Sequence, residues 1–296
     1  MAYARQGPKA LAFCNQKGGV GKTASAVNTA AAFAKSGHKT LLVDCDYQGN
    51  ASDYFRLKLQ AISNRMTLFD GIRLEKDIED CILSTEFENL DLIASSLELS
   101  KWEKHGYKHN KISRWFSSKF VETNYDFIVF DTRPQLGSLF DNVLAYVHWY
   151  LVPMFAEPDA LSGLKIILHE LAEIQEAYND DLRCAGLLIT KFNKKNKTHC
   201  TFYDLIKSVS ESLELNFLGA INQSDAISGS VNKYTPLPYY LEGRKNLPVR
   251  QSYLDLGKTL TETMVYKQGR IPKVPELPDE YVLHSMEQLG GEDLYE

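Results

Sequence analysis

Residues 16–23 read Gln-Lys-Gly-Gly-Val-Gly-Lys-Thr and directly follow an apolar run at 10–14. An apolar strand that breaks into a glycine-rich turn and then enters a helix aims backbone N–H groups and the helix's positive end at one point. That point is suited to phosphate. In this pattern Lys17, Gly18, Gly19, Val20, Gly21, Lys22, Thr23 and Ala24 form the cradle, with Lys22 reaching the β- and γ-phosphates and the Thr23 hydroxyl ligating their Mg²⁺. The usual loop has a glycine five positions before Gly21. Here that place is Gln16, and a second lysine, Lys17, follows it.

Two other segments end in acids. The run Asp44-Cys45-Asp46-Tyr47-Gln48-Gly49-Asn50 closes an apolar stretch, placing two carboxylates at a strand's C-terminal end, where open α/β sheets bind ligands. Phe127-Ile128-Val129-Phe130-Asp131-Thr132 is a second apolar run closed by an acid, as expected of a carboxylate that supports Mg²⁺. Either acid alone is equally well explained as a turn or helix cap. Three such segments together point to nucleotide hydrolysis.

Positioning these residues requires a sheet. Strand candidates fall at 11–15, 40–44, 90–94, 127–131, 150–153, 186–190 and 217–221, alternating with helical stretches at 22–36, 161–178 and 251–266. The first helix is rich in small residues and ends at Gly37. This alternation predicts an α/β fold: a mostly parallel twisted sheet with helices on both faces, of the P-loop NTPase type. Residues 1–270 read as one domain and 271–296 as a tail containing Pro272, Pro275 and Pro278.

With 296 residues, 44% hydrophobic and 24% charged, the chain can bury a sizeable core. No apolar run reaches the roughly 18 residues of a membrane span and no signal-peptide pattern opens the chain, so a cytoplasmic protein is expected. The five scattered cysteines suggest neither a disulfide framework nor a zinc site. The net charge of −5 is concentrated in the tail: residues 271–296 carry seven acids against Lys273 alone. Residues 191–250 instead hold nine Lys/Arg against five acids, a balance that suits either a phosphate-tracking patch or an ordinary solvated surface.

The sequences Lys-Gly-Gly-Val-Gly-Lys-Thr, Asp-Cys-Asp-Tyr-Gln-Gly-Asn-Ala-Ser and Asp-Thr-Arg-Pro-Gln-Leu-Gly resemble the ParA/MinD family of deviant Walker A ATPases, most closely its ParA branch. The resemblance implies ATP and Mg²⁺ as ligands and an ATP-sandwich homodimer in which Lys17 reaches the partner's nucleotide. It implies that Asp46 positions the attacking water and that Asp44 belongs to the network beside the metal. It further implies non-specific DNA binding by the dimer, a ParB-like adaptor that stimulates hydrolysis, and partition of plasmid or chromosomal DNA on the nucleoid. An ATPase that positions a protein assembly is the alternative. DNA-contact candidates are Lys194, Lys195, Lys197, Lys233, Arg244, Lys245 and Arg250.

Departures from the family pattern are specific. Ala24 replaces a hydroxyl that commonly contacts the α-phosphate, Arg133 replaces the first proline of the family's Asp-Thr-Pro-Pro, and Asn222-Gln223-Ser224 stands where the family has Pro-Arg-Asn. The acidic tail also differs from the basic membrane-binding helix that ends MinD-type proteins, so no membrane contact is expected there.

Overall fold

A computed structural model describes residues 7–107, 109–240, 247–265 and 271–287. In it β1 (Lys9–Phe13) runs through the glycine loop into α1 (Lys22–Lys35), and β2 (Thr40–Cys45) follows. Four short helices come next: α2 (Asn50–Tyr54), α3 (Lys58–Ser63), α4 (Leu68–Arg73) and, after further strands, α5 (Lys111–Phe116). Between α4 and α5 lie β3 (Ile82–Ser84), β4 (Leu90–Ile93) and a 3₁₀ segment, Leu97–His105. Then come α6 (Lys119–Asn124), β5 (Phe127–Thr132), α7 (Ser138–Leu144), β6 (Trp149–Met154) and α8 (Ala160–Ala177). The described chain closes with β7 (Arg183–Phe192), α9 (Lys197–Ser212), β8 (Phe217–Asn222), α10 (Asp225–Asn232), α11 (Leu247–Thr263) and α12 (Asp279–Glu287).

Among the described residues the sheet has eight strands in the order β3-β4-β2-β5-β1-β6-β7-β8. Only β3 pairs antiparallel, with β4. This matches the expected mostly parallel α/β sheet and adds the short edge strand 82–84, which three residues of weak pattern did not reveal.

Each central strand feeds two cores because successive side chains point to opposite faces. On β1, Ala10 and Ala12 join one core with β5's Ile128 and Phe130 and the apolar stripe of α8. Leu11 and Phe13 join the other, with Val129, the alanines of α1 and Tyr253, Leu256 and Leu260 of α11. Burial on both faces is why these strands read as continuous apolar runs. In α1 the small residues let α11 come close: a Cβ added at Gly257 would sit 2.8 Å from Ala32 Cβ. α1 ends as expected, with Gly37 at φ 91° and the His38 amide returning to the Phe33 carbonyl at 3.1 Å.

The proline-containing segment packs on this body. Val274 and Leu277 are buried in the α8-side core, and Gln175 on α8 accepts from the Val274 amide (2.9 Å) while donating to the Pro272 carbonyl (3.0 Å). The acids at 292, 293 and 296 lie outside the described residues.

The tight α1–α11 contact is directly testable. Gly257→Ala should cost on the order of 1–3 kcal/mol of unfolding free energy by overpacking against Ala32. Gly163→Ala in α8, where an added Cβ meets nothing within 4 Å, should be neutral or stabilising by up to about 1 kcal/mol. Urea denaturation of the two variants checks the contrast.

Candidate nucleotide site

Three neighbouring strands bring the chemistry together. In the order β2-β5-β1, Asp131 on β5 pairs in register with Asp44 on β2 and with Phe13 at the end of β1. The two acids and the glycine loop therefore meet at the C-terminal edge of the sheet.

The loop itself is tied down by polar residues at the ends of other strands. Asn15 accepts from the Lys17 amide (2.8 Å) and donates to the Pro153 carbonyl near the end of β6 (2.8 Å). Thr190, near the end of β7, donates to the Val20 carbonyl (2.8 Å) and would stand 3.6 Å from any Cβ at Gly21. Gly19 and Gly21 both adopt φ 77°, a left-handed conformation that glycine takes without steric penalty. Gly18 has open space where a side chain would stand. This backbone path leaves the first amides of α1 free of any side-chain cap. Those amides, preceded by a glycine-rich turn, are what a phosphate group needs.

Lys22 is buried at the start of α1, and its ammonium donates to the Lys17 carbonyl (3.0 Å). Burial lowers its pKa, opposed by Asp131, Cys14 and Asp46. Asp131 is fully buried, and among the described residues neither of its carboxyl oxygens makes a well-aligned hydrogen bond, although the Thr23 hydroxyl lies close enough to favour the charged form. Burial first, and then the neighbouring Asp44, push its pKa well up, with the Thr23 hydroxyl and Lys22 acting the other way. A buried carboxylate so placed beside Thr23 suits a divalent cation's coordination shell. Thr23 and Asp131 are therefore the residues here that fit Mg²⁺.

Asp44, expected among the metal-site carboxylates, is otherwise engaged. Its Oδ2 accepts from the Ser52 amide (2.8 Å) and hydroxyl (2.6 Å), and its Oδ1 accepts from the Asp46 amide (3.1 Å). It shapes the loop after β2 and has its pKa pushed up to about 6 by burial. Asp46 is partly exposed at the loop's start and caps the Gln48 amide at 3.0 Å. Ala24 presents no polar side chain; its carbonyl accepts from Asn28 (2.7 Å).

Lys17 is held within its own subunit. Its ammonium pairs with Glu157 (3.0 Å) and Asp159 (2.8 Å), which precede α8, and these partners raise its pKa against a desolvation penalty. No local pattern announces these two acids, which lie 140 and 142 residues away in an irregular segment. Asn15 and Thr190 were missed as well, although each is a polar residue closing an apolar strand.

The basic candidates separate. Lys194 and Lys195, between β7 and α9, and Lys197, at the start of α9, are exposed at the same sheet edge as the glycine loop, and Lys233 is exposed after α10. Arg250 is half-buried in α11, and its Nε donates to the Pro238 carbonyl (3.2 Å). Arg244 and Lys245 lie outside the described residues.

A glycine loop between strand and helix, facing a register-matched strand-end acid, defines a P-loop nucleotide-binding protein. A family model described as an AAA domain matches residues 8–184, more than half of the chain. The chain is 36% identical over 191 residues to the sporulation initiation inhibitor protein Soj of Bacillus subtilis, covering 63% of this chain and 74% of Soj. It is 33% identical over 189 residues to the chromosome partitioning protein ParA of Myxococcus xanthus, covering 62% of this chain and 65% of that protein. In three dimensions it matches a Borrelia burgdorferi plasmid partition protein bound to AMPPNP, with a TM-score of 0.70, 25% identity and coverage of 86% and 98% of the two chains. The chain belongs to this AAA-domain family, in its ParA/MinD branch of deviant Walker A ATPases.

The buried acids set a pH dependence for the protein without nucleotide or metal. Asp44 and Asp131 both hold protons more tightly when folded than when unfolded. Their contribution to stability is therefore full below about pH 4 and is lost as pH rises through 6 and beyond. Asp131→Asn should raise the melting temperature at pH 7 and flatten its fall between pH 5 and 7, which differential scanning fluorimetry in EDTA checks.

Proposed function

We propose that this protein is a Mg²⁺-dependent ATPase of the partition type, cycling between monomers and ATP-sandwich dimers that bind DNA non-specifically. The reading is carried by the buried Asp131, which is in register with Phe13 at the strand end leading into the glycine loop and lies beside Thr23 and Lys22. Similarity to Soj and ParA supports the partition role, and the nucleotide-bound Borrelia relative supports ATP as substrate. A bound Mg²⁺ supplies charge neutralisation at the β- and γ-phosphates.

The chain's own residues do the rest. Amides of residues 18–23 and the Lys22 ammonium bind the phosphates, and Thr23 and Asp131 orient the metal. Asp46, which is partly exposed and accepts from the Gln48 amide, would hold the attacking water. Lys17 must leave Glu157 and Asp159 to reach a partner's nucleotide, so dimerisation breaks this pair. ATP in the adjoining subunit offers the replacement charge. In the dimer, the exposed lysines at 194, 195 and 197 double into a surface able to track phosphates. A ParB-like adaptor would trigger hydrolysis, and the setting would be the cytoplasm, on the nucleoid while ATP is bound. Among the described residues no helix is long and apolar enough to cross a membrane.

The chemistry is tested by two substitutions. Asp46→Ala should retain nucleotide affinity and lose turnover by about 100-fold or more, the scale expected for a lost water-positioning group. Lys22→Ala should lose binding and turnover together. Phosphate release and nucleotide titration distinguish the two, and near-normal turnover in Asp46→Ala removes it from the mechanism.

The assembly and output are tested together. With ATP and Mg²⁺ the Asp46→Ala protein should sediment as a dimer and retain DNA, with affinity falling steeply with salt. Lys17→Ala should stay monomeric, and Lys194→Glu/Lys195→Glu should dimerise without retaining DNA. A dimer that retains no DNA at low salt replaces partition by the positioning of a protein assembly.

A further inference from the structure

The segment that follows Asp131 is fastened in an unusual way. Thr132 donates to the Phe13 carbonyl at 2.6 Å, tying the end of β5 to β1. The next residue, Arg133, is buried, and its guanidinium pairs with Glu103 on the 3₁₀ segment. The same carboxylate accepts from the amides of Ser138 (3.1 Å) and Leu139 (3.4 Å) at the start of α7. Glu103 thus holds both ends of the turn at 133–138.

The surroundings reinforce that grip. Gly137 sits at φ 139°, a conformation that favours glycine, with Glu103 Oε1 only 3.0 Å from where a Cβ would be. Buried Trp102 donates from Nε1 to the Ser138 hydroxyl (3.3 Å), and that hydroxyl donates to the Tyr107 carbonyl (3.3 Å). The Arg133 Nε has no hydrogen-bond partner among the described residues. The outward side of the same 3₁₀ segment carries Leu97, 65% exposed, with exposed Lys101 and Lys104.

We propose that Arg133 and Glu103 form a positioning pair that relays the state of the turn after Asp131 to the surface segment Leu97–His105. This rests on the reading of Asp131 as the nucleotide's metal-side carboxylate. Arg133 is only two residues from Asp131, so if nucleotide binding moves this turn it must either carry Glu103 with it or pull the buried Arg133 guanidinium away from that half-exposed carboxylate. Separating them leaves the buried guanidinium without its counter-charge, which is unfavourable. Movement of Glu103 is the easier path, and Trp102, next in the chain, moves with it.

Amide hydrogen exchange on the full-length protein tests the relay in two stages. Without nucleotide, Glu103→Gln and Arg133→Ala should each raise exchange at Ser138 and Leu139 about tenfold, the scale of one lost charge-assisted hydrogen bond, while Arg133→Lys stays near wild type. Wild-type exchange in both disruptive variants overturns the pair. With AMPPNP and Mg²⁺, wild type should change its exchange across 97–105, and the two disruptive variants should lose that change while keeping nucleotide affinity within about threefold. Binding in wild type without any change at 97–105 overturns the relay alone. Failure of wild type to bind the nucleotide overturns both the relay and the nucleotide reading.

Discussion

The site depends on the register of three strands. Because β5 lies between β2 and β1, hydrogen bonding along the sheet sets Asp131 beside Asp44 on one side and beside the mouth of the glycine loop on the other. A one-residue slip would turn Asp131 to the other face and separate it from Lys22 and Thr23. Two buried carboxylates side by side are unfavourable without compensation. Asp44 receives its compensation from Ser52 and the Asp46 amide, whereas Asp131 has no comparable set of hydrogen bonds among the described residues.

Much of the surrounding structure preserves that arrangement. The apolar layers on both faces hold the strands in place, and the close α1–α11 contact at Gly257 anchors the helix whose first turn faces the phosphates. Asn15 and Thr190 fasten the loop to β6 and β7. Charged side chains at the rim are held more loosely. Lys17 pairs with two acids that are themselves substantially exposed, an interaction of modest strength that a triphosphate can replace.

The glycine loop and the strand-end acids were legible in the sequence because their signals are local: a few residues, at fixed spacing, after an apolar run. The parallel sheet was legible for the same reason, since strands buried on both faces read as unbroken apolar stretches. The edge strand 82–84 was not, because three residues carry no periodicity. The different fates of Asp44 and Asp131 were also hidden, as they depend on Ser52, whose hydroxyl sits in the following helix. The partners of Lys17 and of Arg133 lie 140 and 30 residues away, and no local pattern announces such contacts. The basic residues were visible as a composition, yet only three-dimensional placement separates exposed Lys194 from Arg250, whose Nε is bound to a backbone carbonyl.

The central claim is that Asp131 serves the metal that accompanies a nucleotide. Titration calorimetry of AMPPNP into wild type and Asp131→Asn, each with Mg²⁺ and with EDTA, tests it most directly. The account predicts at least about tenfold tighter binding with Mg²⁺ in wild type, and little or no metal effect in the variant. Equal metal dependence in the two proteins would contradict it.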